Sequence, residues 1–471
     1  MNEAPGEPRQ TRARSNSGAR RPRSVVDKPR RIAYDVLHEV GANEAYANVA
    51  LAAILHDQHF DARDAGFVTE IVNGTLRNSS LLDAIIARCS SRPLTKIDPR
   101  LLDVLRMSCY QLLFMSVGAH AAVNTGVDLA VSVAGEAGKG YVNAILRAVS
   151  RRSREQWLAE VVPDRESDFV GSLSLQYSHP KWVVSALRDS LGREGADQIE
   201  DLLATNNRPP PVTLVARPGR SDVAELLSAG GTRGRWSEFA VLAPTGTPGR
   251  LPGVRRGDVG VQDEGSQLVA IALARAELSG ADATWVDLCA GPGGKVALLA
   301  ALAAQRGARV VGVELHEHRA RLIRQMTATA AGMAGVVVAD SRKPPIRYGV
   351  DRVLVDAPCT GLGVLRRRPE VRWRRVPGDI PVLSALQRDL LNAAIDIVRP
   401  GGVVGYATCS PHLAETDLIV KAVTRSRDDV AVEDARPLFE SVPDLGDGPF
   451  VRLWPHIHDT DGMFFALLRR R

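Results

Sequence analysis

Two of the chain's five cysteines close apolar, strand-like runs: Cys359 in "RVLVDAPC" (352–359) and Cys409 in "VVGYATCSP" (403–411). A thiol so placed could be a small buried hydrophobe, a metal ligand or a nucleophile. No CxxC pair points to zinc and the ten histidines show no ligand spacing, so no metal is expected; His412 and His456 lie near motifs and receive no role. Methylation of carbon 5 of a pyrimidine does need a thiolate. That carbon is not nucleophilic until sulfur adds to carbon 6, giving an enamine-like adduct able to attack an electrophilic methyl group. The addition leaves charge on the ring, so an acid near N3 is useful, and Asp356 stands beside Cys359 in sequence. Release requires loss of the carbon 5 proton and elimination of the thiolate. The chemistry alone leaves open which cysteine attacks.

Other polar residues collect at comparable places. "DLCAGPGGK" (287–295) follows the strand-like "TWVDLCA", and its glycines let backbone approach a ligand just before a helix begins. Glu314 closes "RVVGVEL", where it could accept hydrogen bonds from two ribose hydroxyls, and Asp340 follows "GVVVAD", where it could meet an adenine amino group. Each acid alone could be a helix cap. Five strand ends all carrying acids or thiols are harder to explain that way. A strict GxGxxG is absent, which counts against NAD. A hydride-transfer enzyme has no evident need for two cysteines facing its cofactor, so the thiols favour S-adenosylmethionine over a nicotinamide oxidoreductase.

The elements that must position these residues form three regions. From 28 to 152, runs such as "RRIAYDVLHEV", "GFVTEIVNGTLR" and "PRLLDVLRMSCYQLLFM" place apolar residues at three- and four-residue intervals, predicting a helical bundle with Cys89 and Cys109 in its core. From 153 to 260 a small α+β module is expected, with helices in "HPKWVVSALRDSLG" and "GADQIEDLLATNN" and strands in "PPVTLVARP" and "FAVLAP". From 261 to 471, continuous apolar strands alternate with helices, which predicts a doubly wound α/β domain with a parallel sheet. In such a sheet ligands bind beyond the carboxyl ends of the strands.

The net charge of +6 is uneven: residues 1–31 hold nine Arg or Lys against three acids, and "LRRRPEVRWRR" (365–375) holds six arginines against one glutamate. Arginine patches attract phosphate backbones. The tail 1–27 lacks the apolar core of a secretory signal and reads as a disordered basic arm. No run of eighteen apolar residues predicts a membrane span, and dispersed, unpaired cysteines suit a reducing cytoplasm.

Taken together, "DLCAGPGGK", "DAPCTGLGVLRRRPEVRW" (356–373) and "YATCSP" resemble the RNA 5-methylcytosine methyltransferases of the NOL1/NOP2/Sun class; "VQDEGSQLVA" (261–270) and "DGMFFALLRR" (461–470) extend the likeness over the last region. The helical region resembles the RNA-binding NusB fold through "YANVAL", "GTLRN", "LRMSCYQLLFM", "HAAVNTGVDLA" and "GYVNAILR". The resemblance implies an enzyme that uses S-adenosylmethionine on RNA, with small-subunit (16S) ribosomal RNA as the substrate of class members built this way. It makes Cys409 the nucleophile and gives Cys359 the release of product, whereas DNA cytosine methyltransferases attack with a PC cysteine. It assigns Cys289, Ala290, Gly291, Pro292, Gly293, Gly294 and Lys295 to the methionine end and backbone of the cofactor, Glu314 to the ribose, Asp340 to the adenine side, and Asp356 to both cofactor and base. The arginine-rich segment then reads as an RNA contact, with Trp373 for packing or stacking. Transfer RNA as substrate, and a non-catalytic RNA-binding factor, stand as alternatives; protein partners stay unknown.

Overall fold

The computed structural model describes residues 26–42, 46–57, 60–193, 195–244, 249 and 251–471; all but the last two residues of the basic tail lie outside them. The first helices run Lys28–Ala42, Ala47–Asp57, Ala62–Arg77, Ser79–Cys89, Pro99–Phe114, Ala119–Ala134 and Lys139–Val149. Local chemistry fixes their starts. Asp61 and Asp98 accept backbone N–H groups of Asp64 and Arg100, and Pro99 occupies a first-turn position where no donor is lost. Cys109 is fully buried in the bundle core and Cys89 packs against it. That core runs past residue 152: Trp157, on the helix Arg154–Val161, is buried with it and donates its indole N–H to Val149 O at 3.0 Å.

Three further helices, Phe169–Gln176, Lys181–Leu191 and Ile199–Asn206, lead to a four-stranded antiparallel sheet. Its strands are β1 (Thr213–Ala216), β2 (Thr232–Arg233), β3 (Ala240–Leu242) and β4 (Val259–Val261), in the order β2-β3-β1-β4. The small sheet therefore reaches into residue 261, where the sequence places the start of the last region.

The last region holds β5 (Thr284–Asp287), β6 (Arg309–Glu314), β7 (Met333–Val338), β8 (Val350–Asp356), β9 (Val398–Thr408), β10 (Val430–Glu433), β11 (Val451–Leu453) and β12 (Met463–Arg470). Strands β9-β8-β5-β6-β7 are parallel, as the alternation predicts. The sheet as a whole is mixed, which corrects the parallel expectation: β12 runs antiparallel to β9, β10 and β11. "MFFALLRR" is apolar on both faces like its parallel neighbours, and nothing in such a run records its direction. Along β12, Phe465 and Leu467 enter one core layer with the helices Glu264–Arg275 and Gly294–Ala304. Phe464, Ala466 and Leu468 enter the other, with Asp379–Ile397 and Asp417–Arg425. Both faces are covered, so the strand ends are where polar groups can be presented. Among the described residues no helix is long and apolar enough to cross a membrane.

Candidate active site

The chain leaves β5, builds β6 and β7 outward on one side, then returns to lay β8 on the other side of β5. Strand order thus reverses between β5 and β8, and a crevice opens beyond their carboxyl ends. It is part of a cavity of about 1640 Å³ whose walls come from the glycine loop, the two cysteine loops and the first helices of the bundle.

Lys295, in the first turn of the helix after the loop, reaches across this point and holds Asp356 Oδ2 at 2.8 Å. Burial opposes the lysine charge, but the Asp356 carboxylate more than offsets it and raises the ammonium pKa. Beneath them Asp287 ends β5, fully buried; Oδ1 accepts Cys289 N–H at 3.1 Å, and Oδ2 has no partner. Burial first, and the nearby Asp356 second, push its carboxyl up to about 7. The sequence placed Asp287 in the motif without giving it a role.

Glu314 is buried at the end of β6, accepts His316 N–H and lies 3.6 Å from Arg319. Gly291 passes so close to it that a Cβ there would sit 2.1 Å from Glu314 Oε2. Gly293 adopts φ of +123°, a conformation an L side chain rarely takes. Cys289 packs against the core from this loop, where burial drives its thiol pKa well up. Asp340, two residues beyond β7, lies at the rim, its carboxylate gripped by Arg342 at 2.6 Å.

The two remaining thiols meet. Cys359 Sγ and Cys409 Sγ are 3.4 Å apart, on loops leaving the adjacent strands β8 and β9. The shared hydrogen bond lowers the pKa of Cys409 first of all, against burial and Asp356, with Lys295 and Arg368 assisting. The same bond raises Cys359, reinforced by burial, the Cys409 charge and Glu415. The pair is therefore asymmetric, with Cys409 as the better thiolate.

The arginine-rich segment departs from expectation. Arg366 is 2 % exposed and Arg372 is 0 % exposed. Arg366 reaches Asp459 at 2.8 Å and Asp461 at 3.2 Å, while Arg367 reaches Asp263 at 2.6 Å and Asp461 at 2.9 Å. Arg372 donates to Ser178 O and Asn207 Oδ1, and Arg77 donates to Arg366 O, so three regions of the chain are riveted together here. Trp373 packs, giving its indole N–H to Leu76 O at 2.9 Å. Two of the six arginines, Arg366 and Arg372, are committed to the interior, while Arg367 is partly exposed and lines the cavity.

A glycine cradle at a strand-order reversal, a buried acid closing the next strand and an asymmetric pair of thiols define a nucleoside-cofactor transferase of the methyltransferase type. The comparisons agree. A family model described as "16S rRNA methyltransferase RsmB/F" matches residues 275–469, and one described as "NusB family" matches residues 27–151. A Mycobacterium tuberculosis protein named as a methyltransferase is 50 % identical over 459 residues, covering 97 % of this chain and 99 % of that one. The ribosomal RNA small subunit methyltransferase B of Escherichia fergusonii is 31 % identical, covering 88 % and 92 %. The crystal structure of PH0851 shares the fold with a TM-score of 0.78 at 24 % identity, covering 95 % of this chain and all 100 % of that one. The chain belongs to the RsmB/F methyltransferase family.

Its cofactor is S-adenosylmethionine, and the residues present fit it. The loop at Gly291 packs so tightly on Glu314 that only glycine fits, Glu314 offers a buried acceptor beside it, and Asp287 Oδ2, buried with no hydrogen-bond partner among the described residues, lines the same crevice.

Proposed function

We propose that this enzyme methylates carbon 5 of a cytosine in small-subunit ribosomal RNA through a covalent adduct on Cys409. The carrying observation is the thiol pair at 3.4 Å beside Asp356 and Lys295. Cys409 adds to carbon 6; Asp356, held by Lys295, faces the base edge where charge develops; after methyl transfer carbon 5 loses its proton to solvent, the carbon–sulfur bond breaks, and Cys359 lends its proton to the departing Cys409 sulfur. Residues 289–295 and Glu314 hold the cofactor, with Asp340 and Asp356 at its adenine and methionine ends, and the bound cofactor supplies an electrophilic methyl group. Ribosomal RNA as substrate is supported by the names of the family model and of the Escherichia fergusonii relative. The NusB family match covers residues 27–151 and supports an RNA-binding role for the region 28–152; residues 153–260 are read as a small linker or RNA-binding module, 261–471 as the catalytic domain and the cytoplasm as the compartment.

The test is transfer of labelled methyl from S-adenosylmethionine to purified small-subunit RNA and, separately, to transfer RNA, with nucleoside analysis of the products. Label in 5-methylcytidine from the ribosomal RNA is expected. Label confined to transfer RNA, or found in another nucleoside, would overturn the reading. A second expectation concerns the cradle: Gly291→Ala forces its Cβ onto Glu314, so affinity for S-adenosylhomocysteine measured calorimetrically falls by about tenfold or more.

A further inference from the structure

Beyond the thiols lies a buried carboxylate for which the reaction as proposed has no use. Glu415 closes a short turn, Leu413–Glu415, after β9, and is 0 % exposed. Its Oε1 accepts Thr360 N–H at 2.8 Å and Gln387 Nε2 at 3.1 Å; its Oε2 accepts the hydroxyls of Thr360 and Ser410, the latter at 2.7 Å. Thr360 follows Cys359 and Ser410 follows Cys409. One carboxylate therefore grips the residue next to each thiol. Gln387, from the helix Asp379–Ile397, extends the grip by donating to Pro358 O at 2.8 Å, just before Cys359. Tyr406 on β9 fixes the turn itself by donating to Glu415 O at 2.8 Å.

A carboxylate with no guanidinium or ammonium against it is an expensive group to bury, and among the described residues only neutral donors hydrogen-bond Glu415. Thr360 and Ser410 could bond each other without it, since their hydroxyls are 2.9 Å apart. What the carboxylate adds is a common anchor of fixed charge for two loops that leave different strands.

We infer that Glu415 is a positioning residue, holding the Cys359 and Cys409 loops to one anchor so that the two thiols share a proton in one direction. This rests on the reading of Cys409 as nucleophile, and it assigns a cause to the asymmetry of the pair. The groups facing the thiols are Asp356 from β8, Lys295 from the helix after the glycine loop, Arg368 from the arginine-rich segment, and Tyr406 from β9. Glu415 acts on Cys359 as well, disfavouring its thiolate, and His412, at the start of the same turn, also feels the Glu415 charge. Its charge and its hydrogen bonds thus work together: the bonds keep the sulfurs at 3.4 Å, and the charge keeps the proton on Cys359.

The test uses the full chain without RNA. Iodoacetamide alkylation across a pH series, read at each cysteine by peptide mass spectrometry, gives a rate for Cys409 and one for Cys359. In the wild type Cys409 reacts faster at neutral pH. Glu415→Gln removes the charge and is expected to cut the Cys409-to-Cys359 rate ratio by about tenfold, with the Cys409 profile moving to higher pH and that of Cys359 to lower. Thr360→Val keeps the charge but breaks one link and is expected to cut the ratio by about threefold; it serves also where Glu415→Gln does not fold. A wild-type ratio in both variants, or in Thr360→Val where it alone folds, overturns the inference. A wild-type enzyme that shows the alkylation asymmetry, together with a Cys359→Ala variant that accumulates no RNA adduct, would instead sink the carbon 5 reading, so the two failures are distinct.

Discussion

Cys409→Ala is expected to lose methyl transfer by about a thousandfold or more and to form no covalent species with RNA, whereas Cys359→Ala accumulates an RNA–protein adduct that survives denaturing electrophoresis. The two thiols touch at 3.4 Å, yet their surroundings divide the work. Cys409 is favoured as thiolate by the bond from Cys359 and by Lys295 and Arg368, so its loss removes the attacking atom. That bond, burial and Glu415 all disfavour the Cys359 thiolate, which fits the proposed roles by leaving a proton-carrying group beside the adduct. Its removal stalls the reaction after attack. A pH signature accompanies the stall: without the Cys359 bond, burial and Asp356 dominate at Cys409, so its thiolate forms at higher pH. Adduct formation by Cys359→Ala is therefore slower than wild type near neutrality and recovers as pH rises. An adduct on Cys409→Ala and none on Cys359→Ala would transfer the nucleophile to Cys359.

Particular residues show why the site was largely legible and its supports were not. Gly291, Glu314, Asp356 and the cysteines all follow strands whose apolar runs are local, so their place beyond the sheet could be read from neighbours in sequence. The arginine-rich segment could not. Its partners Asp263 and Asp461 lie 104 and 94 residues from Arg367, and six arginines in a row of eleven look like a surface until those carboxylates are brought to them. Glu415 likewise looks like an ordinary acid at a helix start; only the meeting of two loops reveals it as an anchor. Trp157 joined the bundle across the expected boundary because the apolar side chains of the helix beyond Ser153 still had a core to cover.

Arg366→Met is expected to destabilise the fold by about 3–5 kcal/mol, measured by urea unfolding, because it strips a guanidinium from buried carboxylates instead of removing a matched pair. Arg366 and Arg367 together serve Asp263 and Asp461; Arg366 and both acids are buried, and Arg367 is partly exposed. Burial pushes both acids up; at Asp263 the two guanidiniums outweigh it, while Asp461 stays raised by burial and by Asp263 itself. With Arg366 gone, Asp461 is raised further. An acid whose folded pKa exceeds its unfolded one contributes stability that is present at low pH and lost as pH rises through the folded value. The cost of Arg366→Met is thus smaller at about pH 5 than at about pH 8, the opposite of ordinary acid denaturation. Adding Asp461→Asn should return part of the loss, a coupling of about 1 kcal/mol or more in a double-mutant cycle. The cluster also bears on the thiols: Gly462, next to Asp461, donates to Gly363 O at 2.8 Å, and Gly363 donates to Cys409 O at 2.9 Å. A cost below about 1 kcal/mol, with no pH dependence, would mean that the segment is a solvated surface after all and that its arginines are free to meet RNA.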